Sequence, residues 1–239
     1  MENAITVRVK TLSNLLIGGV PTPFEIGGID QKTAVDAEGY PCIPASTMKG
    51  ALRAIVHQNH KSELGQRIAA LYENYIKREA ENNRDRISQW VEDREELKRI
   101  EVRYQKAYQE STPEYLFGIE GFNGTPKLLF SDLILRDKPD NMGSCFSIDM
   151  KNSIAIVNQL PVSNPRSYKT ARSGLEFTGE IHLYRIGLLG ESAVELCKEY
   201  IQFNLEQFND GVHRLGNSKS RGYGKISVSV LAESEARAK

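Results

Sequence analysis

The chain of 239 residues carries 31 Lys and Arg against 31 Asp and Glu, with 40% hydrophobic and 26% charged residues. That is enough apolar matter for a real core in one or two domains, and the neutral balance excludes a uniformly basic protein: affinity for a polyanion must come from local patches. Cys42, Cys145 and Cys197 lack CxxC spacing, which argues against a disulfide framework or zinc knuckle. With no secretion signal and no apolar run long enough for a bilayer, they lead us to expect a cytoplasmic protein without a membrane partner.

In chain order, Ile5, Val7 and Val9 alternate with polar residues and predict a half-buried strand. A glycine turn follows, then a proline-bracketed extended stretch, then a helix over 46–57. From 58 to 111 the chain is dense in charge and poor in Gly and Pro, which predicts an inserted helical hairpin. One apolar stripe comprises Leu64, Ile68, Leu71 and Tyr75; the other comprises Ile87, Trp90, Leu97, Ile100, Tyr104 and Tyr108. The polar run 81–86 is the expected break between them. A strand is predicted over 127–135, and a projecting β-hairpin over 150–173, where Lys151, Arg166, Lys169 and Arg172 occur without an acid. Phe177, Ile181 and Leu183 mark another strand, residues 193–208 a helix, and 226–230 a last strand. Without the insertions the order is β-α-β-β-α-β. The expected fold class is therefore α+β, with a ferredoxin-like (RRM-like) core in a single domain over 1–239.

Two segments carry candidate chemistry. Residues 26–53 read IGGIDQKTAVDAEGYPCIPASTMKGALR. Ser46 or Thr47 is placed to cap the helix, and Lys49 and Arg53, four apart, share a face beside its positive dipole end. Asp30 follows Gly27 and Gly28, and Asp36 precedes the next turn. A carboxylate beside a phosphate site repels the ligand unless it holds a divalent cation or takes a proton. The plainer alternative is an ordinary capped helix with two turn-forming aspartates. Residues 214–225, RLGNSKSRGYGK, hold four basic residues and no acid. Their glycines would let backbone N–H groups converge on a phosphate, and Tyr223 could stack on a base. A solubilising hairpin loop explains the glycines but not the missing acids, and neither GxxxxGK[ST] nor GxGxxG occurs. The histidines, His57, His60, His182 and His213, form no ligand pattern and read as structural or surface residues.

Together, IGGID with Asp36, the IPASTMKGALR helix start, NPRSYKTARSGLEF and GNSKSRGYGKI resemble the RAMP superfamily of CRISPR-associated proteins, most of all the repeated backbone subunit of type III effector complexes. The resemblance covers nearly the whole chain outside the insertion. It implies guide RNA, complementary target RNA and other effector subunits, including copies or paralogues, as partners. The matching RNA-binding residues are Ser46, Thr47, Lys49, Arg53, Gly216, Ser218, Lys219, Arg221, Gly222 and Tyr223, with Lys151, Arg166 and Lys169 in a thumb hairpin. Asp30 matches the aspartate that promotes metal-dependent target-RNA cleavage, with Asp36 as an accessory acid. An exposed Asp is too acidic for an efficient base near neutrality, so Asp30 is expected to hold a divalent cation, Mg2+ first. Ala45-Ser46-Thr47 stands where the family usually has Gly-Ser-Ser, which keeps the hydroxyls. Two alternatives stay open: a purely structural guide-binding subunit, and a guide-processing endoribonuclease, which would want a histidine that the 26–53 site lacks.

Overall fold

The computed structural model describes residues 3–18, 29–91, 93–157 and 160–231; Gly27 and Gly28 of the predicted glycine turn lie outside them. The chain is mixed α+β. Strand β1 (Ala4–Thr11) buries Ile5, Val7 and Val9 on one face, as a period of two requires. After the short β2 (Gln31–Lys32), helix α1 (Ala45–Gln58) buries Met48, Leu52, Ile55 and Val56 at helical spacing. The insertion forms α2 (Glu63–Trp90) and α3 (Arg94–Gln109). There follow β3 (Lys127–Phe130), β4 (Ile134–Leu135), β5 (Phe146–Val157), β6 (Leu160–Ala171), β7 (Glu176–Tyr184), α4 (Ala193–Glu206) and β8 (Ile226–Val230). One sheet has the order β3-β7-β1-β8 with β4 also on β7; a second has the order β2-β6-β5.

Contacts divide the chain into two compact units. The first comprises Met1–Ala4, Leu52–Leu129 and His182–Asn204. Its core is built on α2, which buries Ile68, Tyr72, Tyr75 and Ile76. The Tyr72 hydroxyl donates to the Pro126 carbonyl at 2.8 Å, and its ring meets Tyr115 edge-on at 5.7 Å. Tyr115 in turn donates to the Ala107 carbonyl of α3 at 2.9 Å. Helix α3 buries only Ala107, so its expected apolar stripe is a half-covered face.

The polar run 81–86 does not break the hairpin. Its Glu, Asn and Arg side chains are tolerated in a solvated helix, and α2 continues through them. The break falls at 91–93, where Asp93 accepts a hydrogen bond from the Glu95 N–H at 2.9 Å and caps α3. Ile87 and Trp90 therefore belong to α2, not to the second helix.

The second unit comprises Ile5–Ala51, Phe130–Ile181 and Leu205–Lys239. Val7, Val9, Leu15, Leu16, Ile43, Met48, Phe177, Phe208 and Val228 are buried in it. β1 pairs antiparallel with β8 from Val7↔Val230 to Thr11↔Ile226. The predicted strand over 127–135 is interrupted after Phe130, because the Ser131 hydroxyl turns to accept the Glu180 N–H at 2.7 Å and Asp132 turns to α1. The hairpin is longer than the expected 150–173: β5 and β6 pair antiparallel from Phe146↔Ala171 to Val157↔Leu160. All three cysteines are unpaired and buried, and burial pushes the Cys197 thiol up to about 12. No helix among the described residues is long and apolar enough to cross a membrane.

Candidate nucleic-acid interface

Asp30 sits at the base of the hairpin, held by β6. Strand β2 runs parallel to β6, with Gln31 beside Tyr168 and Lys32 beside Lys169. This puts Asp30 opposite Ser167 in a reciprocal contact. The Asp30 N–H donates to the Ser167 carbonyl at 3.0 Å, and Asp30 Oδ2 accepts from the Ser167 N–H at 2.6 Å and its hydroxyl at 3.1 Å. The Ser167 N–H and then its hydroxyl hold the exposed carboxyl below the ordinary Asp value against an opposing desolvation, and the charge of Arg166 adds a lesser push in the same direction. Asp30 is thus an exposed anion, poorly suited to act as a base near neutrality and well suited to attract a cation.

Across the hairpin, Lys151 stands directly opposite Arg166. Like charges at opposed positions are unfavourable by themselves, so this pair is a ready place for an anion. Lys169 lies with its ammonium 4.0 Å from the centre of the Phe146 ring, a cation–π contact that fixes it near the hairpin base. Arg172, just past β6, is exposed.

The other carboxylate candidate is already occupied. Asp36 Oδ1 accepts from the N–H groups of Glu38 and Tyr40, each at 3.0 Å, and Oδ2 lies 3.4 Å from Lys138 Nζ. Oδ1 thus closes a turn, and Oδ2 is the oxygen that an accessory acid would have to offer, in competition with Lys138. Among the described residues no three His, Cys, Asp or Glu side chains gather as a metal cluster. A cation at Asp30 would therefore need nucleic-acid phosphates for most of its ligands, the manner in which Mg2+ is commonly held.

The start of α1 differs from the expected cap. The helix begins at Ala45, so Ser46 and Thr47 lie inside its first turn, where the Thr47 N–H bonds back to the Pro44 carbonyl at 2.9 Å. The cap is Asp132, whose Oδ1 accepts the Ala45 N–H at 2.7 Å. An acid from the β3–β4 link thus already faces the positive end of the helix. Lys49 is half-buried on the first turns. One turn on, Arg53 Nε lies 3.5 Å from Glu114 Oε2, and His57 Nδ1 lies 2.6 Å from Oε1 of the same carboxylate. Arg53 is an ion-pair partner inside the first unit, not half of an unopposed basic doublet.

The glycine-rich loop is pinned by its own backbone. Gly216 and Gly224 have φ of 75° and 78°, and a Cβ there would meet the carbonyl oxygens of Leu16 and Leu215 at 2.3 and 1.9 Å. The Asn217 N–H donates to the Leu16 carbonyl, the Leu215 N–H to Gly224, and the Gly224 N–H to Asn14. These two glycines serve close backbone approach. Ser218, at φ 56°, leads into a tight turn over Lys219–Arg221, and Gly222 follows at φ 95°. Lys219 and Arg221 are exposed on this turn. Tyr223 is only 4% exposed, so it offers no ring face for stacking on a base. Lys151 Nζ lies 4.9 Å from the centre of the Tyr223 ring, and the hydroxyl donates to Asp149 Oδ2 at 2.8 Å.

Asp149 is the residue that sequence reasoning missed. Oδ2 also accepts from Asn14 Nδ2 at 3.0 Å and Thr170 Oγ1 at 3.2 Å, and Oδ1 accepts from Ser147 Oγ at 2.9 Å. Partial burial works to raise its pKa, but these hydrogen bonds outweigh it and the carboxyl sits below the ordinary range. A cleft of about 430 Å³ is lined by Asn14, Asp149, Lys151, Arg221 and Tyr223. In the sequence Asp149 was legible only as the last acid before a basic stretch.

In this α+β chain Arg166, Arg172, Lys219 and Arg221 are exposed, and Lys151 and Lys169 half-buried, on or beside the hairpin and the glycine-rich turn. The chain belongs to the RAMP superfamily, whose family model matches residues 8–227. Among solved structures it is similar to a chain of the Type III-B Cmr-beta complex bound to cognate target RNA, with 18% identity and a TM-score of 0.52, covering 96% of this chain and 61% of that one. It thus spans about three fifths of that chain. A chain of the apo Type III-B Cmr-beta structure matches with 13% identity and a TM-score of 0.48, over 96% of this chain and 98% of that one. One of a Type IV-B CRISPR complex matches with 12% identity and a TM-score of 0.48, over 96% and 91%. No curated protein matches the chain.

Proposed function

We propose that this protein is a subunit of a type III CRISPR effector complex that binds guide RNA, together with other effector subunits, and cleaves complementary target RNA at Asp30 in a metal-dependent reaction. The sheet order β3-β7-β1-β8, taken with the two crossover helices α1 and α4, supports a ferredoxin-like core for it. Membership of the RAMP superfamily supports the class of partner. The observation that carries the reading is at the hairpin base: Asp30, kept anionic by Ser167, adjoins Arg166, which stands opposite Lys151.

In this reading Lys151, Arg166, Lys169, Lys219 and Arg221 contact RNA phosphates, Lys49 brings further charge along α1, and Arg53 would do so by exchanging Glu114 for a phosphate. Ser46 and Thr47 contribute hydroxyls from the first turn, and Gly216, Ser218, Gly222 and Tyr223 shape the loop. Base pairing between guide and target, not these contacts, supplies sequence specificity. Asp30 is the residue that would hold a divalent cation, with Mg2+ the first choice. Such an ion supplies Lewis-acid stabilisation of charge on a phosphoryl oxygen. The hairpin's part is to hold a distorted target nucleotide with its 2′-hydroxyl in line with the neighbouring phosphorus, the geometry intramolecular attack requires.

Asp30 Oδ2 already accepts the Ser167 N–H and hydroxyl, which favours a second reading, a guide-binding subunit that leaves cleavage to another chain. Cutting of labelled complementary RNA by the guide-loaded complex, with Mg2+ or with chelator, separates the two. For Asp30→Ala at matched assembly we expect loss of regularly spaced cuts with guide binding retained. Unchanged cuts would assign the chain a scaffold role, and chelator-resistant cutting of the guide precursor would point to a processing enzyme instead.

A further inference from the structure

We propose that Asp149 is a positioning residue for RNA binding: its carboxylate latches the glycine-rich loop to the hairpin base, so that Lys151 and Arg221 face one cleft at a fixed separation. The inference rests on the RNA-binding reading above and assigns a role to the acid at the centre of that surface.

Three segments far apart in sequence meet at this one side chain. Asn14, just after β1, donates to it through Nδ2. The same Asn14 accepts the Ser173 N–H through Oδ1 at 3.2 Å and the Gly224 N–H through its carbonyl at 2.9 Å. Ser147 and Thr170 donate from β5 and β6, and Tyr223 donates from the loop. Four donors on one carboxylate leave little capacity for a ligand, so Asp149 is not itself a contact for RNA. Charge-assisted bonds of this kind are stronger and more directional than neutral ones. The Tyr223 ring, held by its hydroxyl, is the surface that carries the Lys151 ammonium, and Arg221 lies two residues before it in the chain. Both cations line the same cleft as Asp149 and Asn14.

A negative charge in a polyanion site should weaken binding, so its neutralisation by Asp149→Asn should tighten RNA if the carboxylate acted only through the field. The latch predicts the opposite sign. The amide carries no charge, its single oxygen has two lone pairs for the three donors that converge on Oδ2, and its NH2, on the Oδ1 side, turns the Ser147 hydroxyl from donor to acceptor. The backbone bonds of Asn217 and Gly224 still hold the loop, but Tyr223 loses its charged anchor, and Lys151 and Arg221 lose their common setting.

The test measures the affinity of the full chain for labelled single-stranded RNA against salt concentration, with parallel thermal unfolding. For Asp149→Asn we expect affinity about tenfold weaker and a log–log salt slope shallower by up to about 1.4, two phosphate contacts at roughly 0.7 each on a single strand. Tyr223→Phe, which keeps the ring under Lys151 and removes only the hydroxyl, should show a smaller loss in the same direction and serves as the readout if Asp149→Asn does not fold. Equal or tighter binding overturns the proposal, as does weaker binding with the parent's slope, which reports only a lower folded fraction. A parent protein without salt-dependent RNA binding overturns the RNA-binding reading itself, and the latch with it.

Discussion

Gly224 offers the sharpest test of how the loop is built. Its φ is 78°, and an added Cβ would lie 1.9 Å from the Leu215 carbonyl oxygen, against a closest approach for real Cβ atoms near 3.0 Å. The obstacle is backbone and cannot rotate away, so Gly224→Ala must separate the two strands of the loop by roughly 1 Å. That movement breaks two bonds at 2.9 Å, Leu215 N–H to Gly224 and Gly224 N–H to Asn14. A left-handed alanine costs about 1–2 kcal/mol and each lost bond about 1 kcal/mol, for a total of about 3–4 kcal/mol. For a chain of this size that lowers the melting midpoint by roughly 6–16 °C. Gly222→Ala is the internal control. Its φ is 95°, but nothing lies within 4 Å of the added Cβ, so only the conformational cost of about 1–2 kcal/mol applies. Thermal and denaturant unfolding of both variants gives the comparison. If Gly224→Ala were no worse than Gly222→Ala, the close approach of Gly224 to Leu215 would be wrong and the pinned loop with it.

Asp132→Ala should cost about 1 kcal/mol in denaturant unfolding, because the Ala45 N–H loses its 2.7 Å bond to Oδ1; Ser46→Ala and Thr47→Ala should cost less, and the reverse order would restore the predicted caps. The Asp30 carboxyl should titrate below 3.8 by NMR in the folded chain, since its pKa is lowered first by the Ser167 N–H and then by its hydroxyl. Because the folded value is depressed, the Asp30–Ser167 contact contributes fully above the unfolded value and is lost as pH falls through the folded one. Ser167→Ala should move the midpoint up only part of the way, because the N–H bond remains; a full return to 3.8 would place the effect in the hydroxyl alone.

Much of the fold was legible because its elements have strong local patterns. The alternation at Ile5, Val7 and Val9 and the helical spacing of Leu52, Ile55 and Val56 follow from the rule that one face is buried. The basic composition of the hairpin and loop marked the surface in the same way. The helix break has a local signal at its true position: Asp93 followed by Glu95 and Glu96 is a helix-start pattern, whereas the charged run at 81–86 contains no residue that stops a helix.

The sequence by itself determined the type and order of the main strands and helices, which segments concentrate positive charge, and that Asp30 stands apart from the other acids by its glycine-led setting, because each depends on neighbours along the chain. What only the tertiary structure decided depends on groups brought from far away. Asp132, 87 positions from Ala45, takes the cap that Ser46 and Thr47 seemed fit to supply. Asp36 is consumed by its own turn and by Lys138. Tyr223 is drawn inward by Asp149, 74 positions away, so a ring read as a stacking surface becomes part of the support beneath Lys151. A buried carboxylate is stable only where donors converge on it, and no local pattern records which segments will supply them.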